Sequence, residues 1–160
     1  LLLGAPGLDD FELEGGAFLF DLALLSELQG TIDGFEEGSV LAAPPQANES
    51  ARAGVSVAAG IDLNCDGEED FALGAPEARD LGPRTGAVLL SYGPPQAYRS
   101  LAKTGVRIVG ERSGDEAGLV IAAAGDVNGD GCSDLPIASP GRSHEAASGG
   151  GVWFVPGVRE

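Results

Sequence analysis

Asp62-Leu63-Asn64-Cys65-Asp66-Gly67-Glu68-Glu69-Asp70 and, 64 residues on, Asp126-Val127-Asn128-Gly129-Asp130-Gly131-Cys132-Ser133-Asp134 share one pattern, D-x-N-x-D-G-x-x-D. A loop so spaced turns side-chain oxygens at positions 1, 3, 5 and 9 inward. A glycine at position 6 makes the turn, and position 7 offers its backbone carbonyl. This is chemistry for a hard cation, calcium foremost. The expected side-chain ligands are Asp62, Asn64, Asp66 and Asp70 in one site and Asp126, Asn128, Asp130 and Asp134 in the other. The carbonyls of Glu68 and Cys132 complete each shell, at oxygen distances of ~2.3–2.6 Å. The competing reading of a single loop is a solvated acidic turn, since Asp, Asn and Gly are ordinary turn residues. Two copies that keep every oxygen-bearing position weigh against it. The two ligand sets share no residue, so the loops read as independent sites.

The flanks decide what kind of loop this is. An EF-hand needs a bidentate carboxylate at position 12 and a helix on each side. Position 12 is Leu73 in one copy and Ile137 in the other. The runs that follow, Phe71-Ala72-Leu73-Gly74-Ala75-Pro76 and Leu135-Pro136-Ile137-Ala138-Ser139-Pro140, are short, apolar and closed by proline, which breaks helices. The segments before the loops, 53–60 and 117–124, are small, apolar and β-branched, as buried strands are. A further apolar stretch follows each linker, at 86–90 and 150–155. The unit is therefore strand, metal loop, strand, linker, strand. Residues 53–90 and 117–154 align without a gap at 12 identical positions of 38. A partial copy opens the chain, where Leu1 to Pro6 matches Phe71 to Pro76 and Gly16 to Phe20 matches Gly86 to Leu90.

These units resemble the FG-GAP repeat of integrin α-subunit-like β-propellers and bacterial secreted proteins. The resemblance rests on the two metal loops and on Gly-Ala-Pro at 4–6 and 74–76. It departs at Ala138-Ser139-Pro140, and the naming Phe-Gly pair is replaced by Ala53-Gly54 and Ala117-Gly118. It implies an all-β fold of propeller blades, about two and a half from a ring of roughly seven. The repeats divide the chain into 1–52, lacking its metal loop, 53–116 with loop 62–70, and 117–160 with loop 126–134, incomplete at its end. The expected strands are 1–5, 16–22, 54–60, 70–75, 86–92, 105–109, 117–124, 134–138 and 150–156. One more lies between 27 and 43, with Ser39 to Ala43 favoured by propensity. With no methionine and a first repeat that opens partway, the chain reads as a piece of a larger product with unpaired β-edges.

Composition bounds the function. The 160 residues carry 25 acidic and 9 basic side chains, a formal net charge of −16, which argues against nucleic acid and anionic membrane surfaces as partners. No apolar run reaches the ~18 residues of a membrane span. Cys65 and Cys132 read as two exposed thiols. A disulfide requires their loops to bring the Cα atoms within ~4.4–6.8 Å. His144 stands beside Ser143 and Glu145, but a catalytic triad needs convergence in space. Trp153, Tyr92 and Tyr98 are the aromatics available to a sugar-binding propeller, and Trp153 falls in a strand, where packing is its expected role. Asn48-Glu49-Ser50 matches the glycosylation pattern in a surface loop.

The reading that emerges is a calcium-binding, non-enzymatic, extracellular or cell-surface β-propeller module. It holds two Ca2+ sites and meets a protein or glycan partner, besides the remaining blades of its parent chain. The resemblance puts partner binding on the face opposite the metal loops, through 77–85, 141–149, 44–53 and 110–117. The alternatives are an accessory propeller of a secreted hydrolase or phospholipase, and a propeller lectin.

Overall fold

The computed structural model describes residues 2–6, 15–19, 39–42, 51–93, 99–100, 106–142 and 149–159. Among these the fold is all β, in three sheets. The first contains β1 (Leu2–Ala5), β2 (Gly16–Leu19), β3 (Ser39–Ala42) and β7 (Arg99–Ser100), in the order β1-β2-β3-β7. The second contains β4 (Ser56–Ile61), β5 (Asp70–Ala75), β6 (Ala87–Ser91) and β8 (Val106–Val109), in the order β4-β5-β6-β8. The third contains β9 (Val120–Ile121), β10 (Leu135–Ser139) and β11 (Gly151–Val155), with β10 central. Every pairing between these strands is antiparallel except β3 with the two residues of β7.

The sheets stack face to face, and the middle one is buried on both sides. Alternate side chains explain this, because neighbours along a strand point to opposite faces. Phe71, Leu73 and Ala75 of β5 join Ala17, Ala87 and Leu89 in a core shared with the first sheet. Ala72 faces the other way and joins Val88, Leu90, Ile121, Leu135 and Ile137 in a core shared with the third. A strand covered on both faces reads as an unbroken apolar run, and Phe71 to Ala75 is one.

Glycine sets the spacing between sheets. A Cβ on Gly74 would collide with the carbonyl oxygen of Gly118 in the turn that leads into the next sheet, and one on Gly4 would meet the carbonyl oxygen of Gly54. The Gly-Ala-Pro sequences thus mark where one blade's backbone lies directly on the next. Ser56 adds a hydrogen bond from its hydroxyl to the Gly118 carbonyl, at 2.8 Å.

Two strand expectations need correction. The strand expected over 117–124 is reduced to Val120–Ile121, with Ala117 in a separate bridge to Gly86. Ala122 N–H still reaches the Pro136 carbonyl, at 3.3 Å, but Pro136 has no N–H to return. Before it, Glu116 and Gly118 have positive φ, 54° and 84°, which places 116–118 in a turn. The strand expected over 54–60 starts at Ser56 because Gly54, φ 91°, likewise turns the chain. Ser39–Ala42 is a strand, as propensity favoured. Tyr98, His144 and Asn48-Glu49-Ser50 lie outside the described residues.

Candidate metal centre

Both D-x-N-x-D-G-x-x-D loops are hairpin connections at the same end of adjacent sheets, β4 to β5 and β9 to β10. Their backbones follow the same course. Position 4 is left-handed in each, Cys65 at φ 59° and Gly129 at φ 80°, and so is position 6, Gly67 at 89° and Gly131 at 91°. These twists curl the chain around the oxygens of positions 1 and 3. Asp62 Oδ1 and Asn64 Oδ1 both accept from the single N–H of Asp66, at 3.1 and 3.2 Å. Asp126 Oδ1 and Asn128 Oδ1 both accept from Asp130 N–H, at 3.1 and 2.8 Å. The position 5 carboxylate closes the group by accepting from the position 3 amide, Asn64 to Asp66 and Asn128 to Asp130, each at 2.8 Å. The structure therefore gathers positions 1, 3 and 5 into one oxygen-rich cluster on each loop.

Position 9 does something the sequence reading did not assign. Asp70 and Asp134 are fully buried beneath their loops. Asp70 Oδ2 accepts from Leu63 N–H at 2.8 Å and Oδ1 from Gly93 N–H at 2.9 Å. Asp134 repeats this with Val127 N–H at 2.8 Å and Gly157 N–H at 3.1 Å. Each carboxylate thus pins the start of its loop to the chain leaving the third strand of the blade. The signal was present in the repeat: at the offset of 64, Gly93 aligns with Gly157, three residues past the end of the alignment above. Among the described residues, no three His, Cys, Asp or Glu side chains gather closely enough to make a metal cage, and position 3 of each loop, whose oxygen joins the cluster, is an amide.

The electrostatics follow this division. The Glu68 N–H, and after it the Asn64 amide, hold the Asp66 carboxyl below the ordinary carboxylate range. Burial pushes Asp70 up, aided by the charges of Asp66 and Asp62 and opposed by the N–H groups of Gly93 and Leu63. A cation at the loop would relieve that repulsion.

The cysteines overturn the expectation of exposed thiols. Cys65 and Cys132 form a disulfide between the two loops, with Cα atoms 5.3 Å apart. Stacking adjacent blades brings position 4 of one loop beside position 7 of the other, and nothing in the sequence spacing reports that juxtaposition.

At the opposite end, the turns 77–85 and 110–117 bond to each other through Gly114 N–H to the Pro83 carbonyl, 2.9 Å, and Glu116 N–H to the Arg84 carbonyl, 3.0 Å. Trp153 is partly buried against the second core with the Arg142 guanidinium 4.1 Å from its ring centre. No helix among the described residues is long and apolar enough to cross a membrane.

Comparison with known proteins agrees with this geometry. The FG-GAP repeat family model matches residues 53–90 and 117–155, the two segments that contain the metal loops. The chain is also 36% identical over 121 residues to phosphatidylinositol-glycan-specific phospholipase D of Bos taurus. That match covers 75% of this chain and spans 13% of the relative's length.

Proposed function

Because this chain carries two FG-GAP repeats, the blades of β-propellers, we propose that it is a calcium-stabilised, non-enzymatic propeller module of an extracellular or cell-surface protein. The observation that carries the reading is the paired loop: oxygens of positions 1 and 3 converge on the position 5 amide in both copies. The donors are hard oxygens, the kind that calcium takes in a set of six to eight. Asp62, Asn64 and Asp66 would hold one ion, and Asp126, Asn128 and Asp130 the other. The carbonyls of Glu68 and Cys132 would join them, and Asp70 and Asp134 through lone pairs not used by their N–H partners. Bound cations supply charge neutralisation, and the chain's part is to pre-fold the loops. The turns opposite the metal loops are the proposed contact surface for a protein or glycan partner. Calorimetric titration of the metal-free protein should show two calcium sites. No heat of binding at millimolar calcium would overturn the reading.

The similarity to a phospholipase favours one second reading, in which these blades are the accessory propeller of a larger secreted hydrolase. The two readings agree on the calcium loops and differ on what the parent chain carries elsewhere. A catalytic domain encoded beside this segment would select the second, and further repeats alone would select the first.

A further inference from the structure

We propose that the two metal loops are a single coupled calcium-binding unit, with Cys65 and Cys132 as the positioning residues that join them. This rests on the calcium reading above and departs from the independence that the non-overlapping ligand sets suggest.

The loops touch at or beside residues that would hold the ions. Ser133 N–H, at position 8 of the second loop, donates to the carbonyl of Asp62, position 1 of the first, at 2.9 Å. Cys132 N–H donates to Asp130 Oδ1 at 2.9 Å, so the second loop's position 5 carboxylate holds one end of the disulfide directly. The other end, Cys65, sits in the left-handed conformation between Asn64 and Asp66, whose side chains are hydrogen-bonded to each other at 2.8 Å. A third element locks the pair. The segment after β11 passes between the loops, with Val158 N–H on the Leu63 carbonyl at 2.7 Å and Gly157 N–H on Asp134 Oδ1 at 3.1 Å. Gly157 has no room for a side chain there: a Cβ would run into Ser133 O and Cys132 Cβ and lie 3.0 Å from Leu63 O.

Coupling follows from shared ordering. An ion at the second loop fixes Asp130, and with it the backbone of Cys132 and Ser133. The disulfide and the Ser133–Asp62 bond transmit that restraint to the first loop. Whichever ion binds second then finds its ligands partly ordered and loses less conformational entropy. Repulsion between the two dications opposes this, and the acidic side chains of each loop offset it locally. Linkage requires the effect to be reciprocal.

The test is calcium titration of the disulfide-intact chain and its variants by calorimetry. Asp66→Ala, which disables the first loop, should weaken calcium binding at the second roughly fivefold or more, and Asp130→Ala should weaken the first by the same factor. In the Cys65→Ser/Cys132→Ser background both cross-effects should shrink to what the Ser133–Asp62 bond alone transmits, while each loop still binds. A second loop unchanged by Asp66→Ala overturns the coupling. Cross-effects of full size without the cysteines overturn their positioning role. Should the double serine variant fail to fold, the intact protein carries the test by itself. Reduction by a dithiol adds two electrons and two protons to the Cys65–Cys132 bond, giving two thiols as the dithiol closes to its own disulfide. Saturating calcium should shift that equilibrium toward the protein disulfide, measured by thiol trapping, and an equilibrium indifferent to calcium overturns the proposal. If the wild-type chain binds no calcium, the proposed function itself falls, a result distinct from binding without coupling.

Discussion

The second and third sheets present the same positions to their following neighbour, and the two faces meet different fates. Val88 and Leu90 are 0% and 2% exposed, while their counterparts 64 residues on, Val152 and Phe154, are 66% and 54% exposed. The difference is not in apolar character, which the two faces share. The second sheet is covered by Ile121, Leu135 and Ile137 of the third, and no described element covers the corresponding face of the third. Burial in this architecture therefore belongs to the contact between blades and not to the blade. The faces also differ in shape. Gly74, which receives the Gly118 carbonyl, becomes Ala138, and Ser56, which hydrogen-bonds it, becomes Val120. The second sheet is cut to fit the third, and the third lacks both features.

Paired substitutions at equivalent positions test that contrast, each read from denaturant unfolding. Leu90→Ala removes a buried side chain from the core between the sheets and should destabilise by about 2–5 kcal/mol, whereas Phe154→Ala should cost well under that because its ring is largely in water. Equal losses would mean that the exposed face is covered after all. Gly74→Ala puts a methyl against the Gly118 carbonyl and should cost roughly 1–3 kcal/mol. The reverse change, Ala138→Gly, should cost only the ~0.5–1 kcal/mol of added backbone freedom. Ser56→Ala deletes the bond to Gly118 and should cost about 0.5–1.5 kcal/mol, with Val120→Ser within about 0.5 kcal/mol of neutral. A neutral Ser56→Ala would show that the glycine contact alone sets the fit.

Much of this architecture is legible in the chain because it is written in residue types at fixed spacing. The metal loops are spelled by Asp, Asn and Gly, and the doubly buried β5 by its unbroken apolar run. What stayed hidden depends on how blades meet. The Cys65–Cys132 bridge needs one loop's position 4 to face the next loop's position 7, which is a property of stacking. The short β9 follows from a missing donor on Pro136, a residue of a different strand. The buried bonds of Asp70 and Asp134 involve Gly93 and Gly157, 23 residues away in each repeat, and a glycine so placed announces nothing until its partner is known.

The loops themselves carry the central claim. Both copies keep the convergent oxygens, both bury the same aspartate, and one disulfide ties them together, so metal binding and the stability of the blade stack should be one quantity. Thermal melting of the disulfide-intact chain in calcium and in excess chelator measures it directly. Calcium at a hundredfold excess over Kd should add about 2.7 kcal/mol for each site filled, raising the midpoint by roughly 2–4 °C for each kcal/mol. Identical midpoints in calcium and chelator would contradict the account and leave the two loops as ordinary acidic turns.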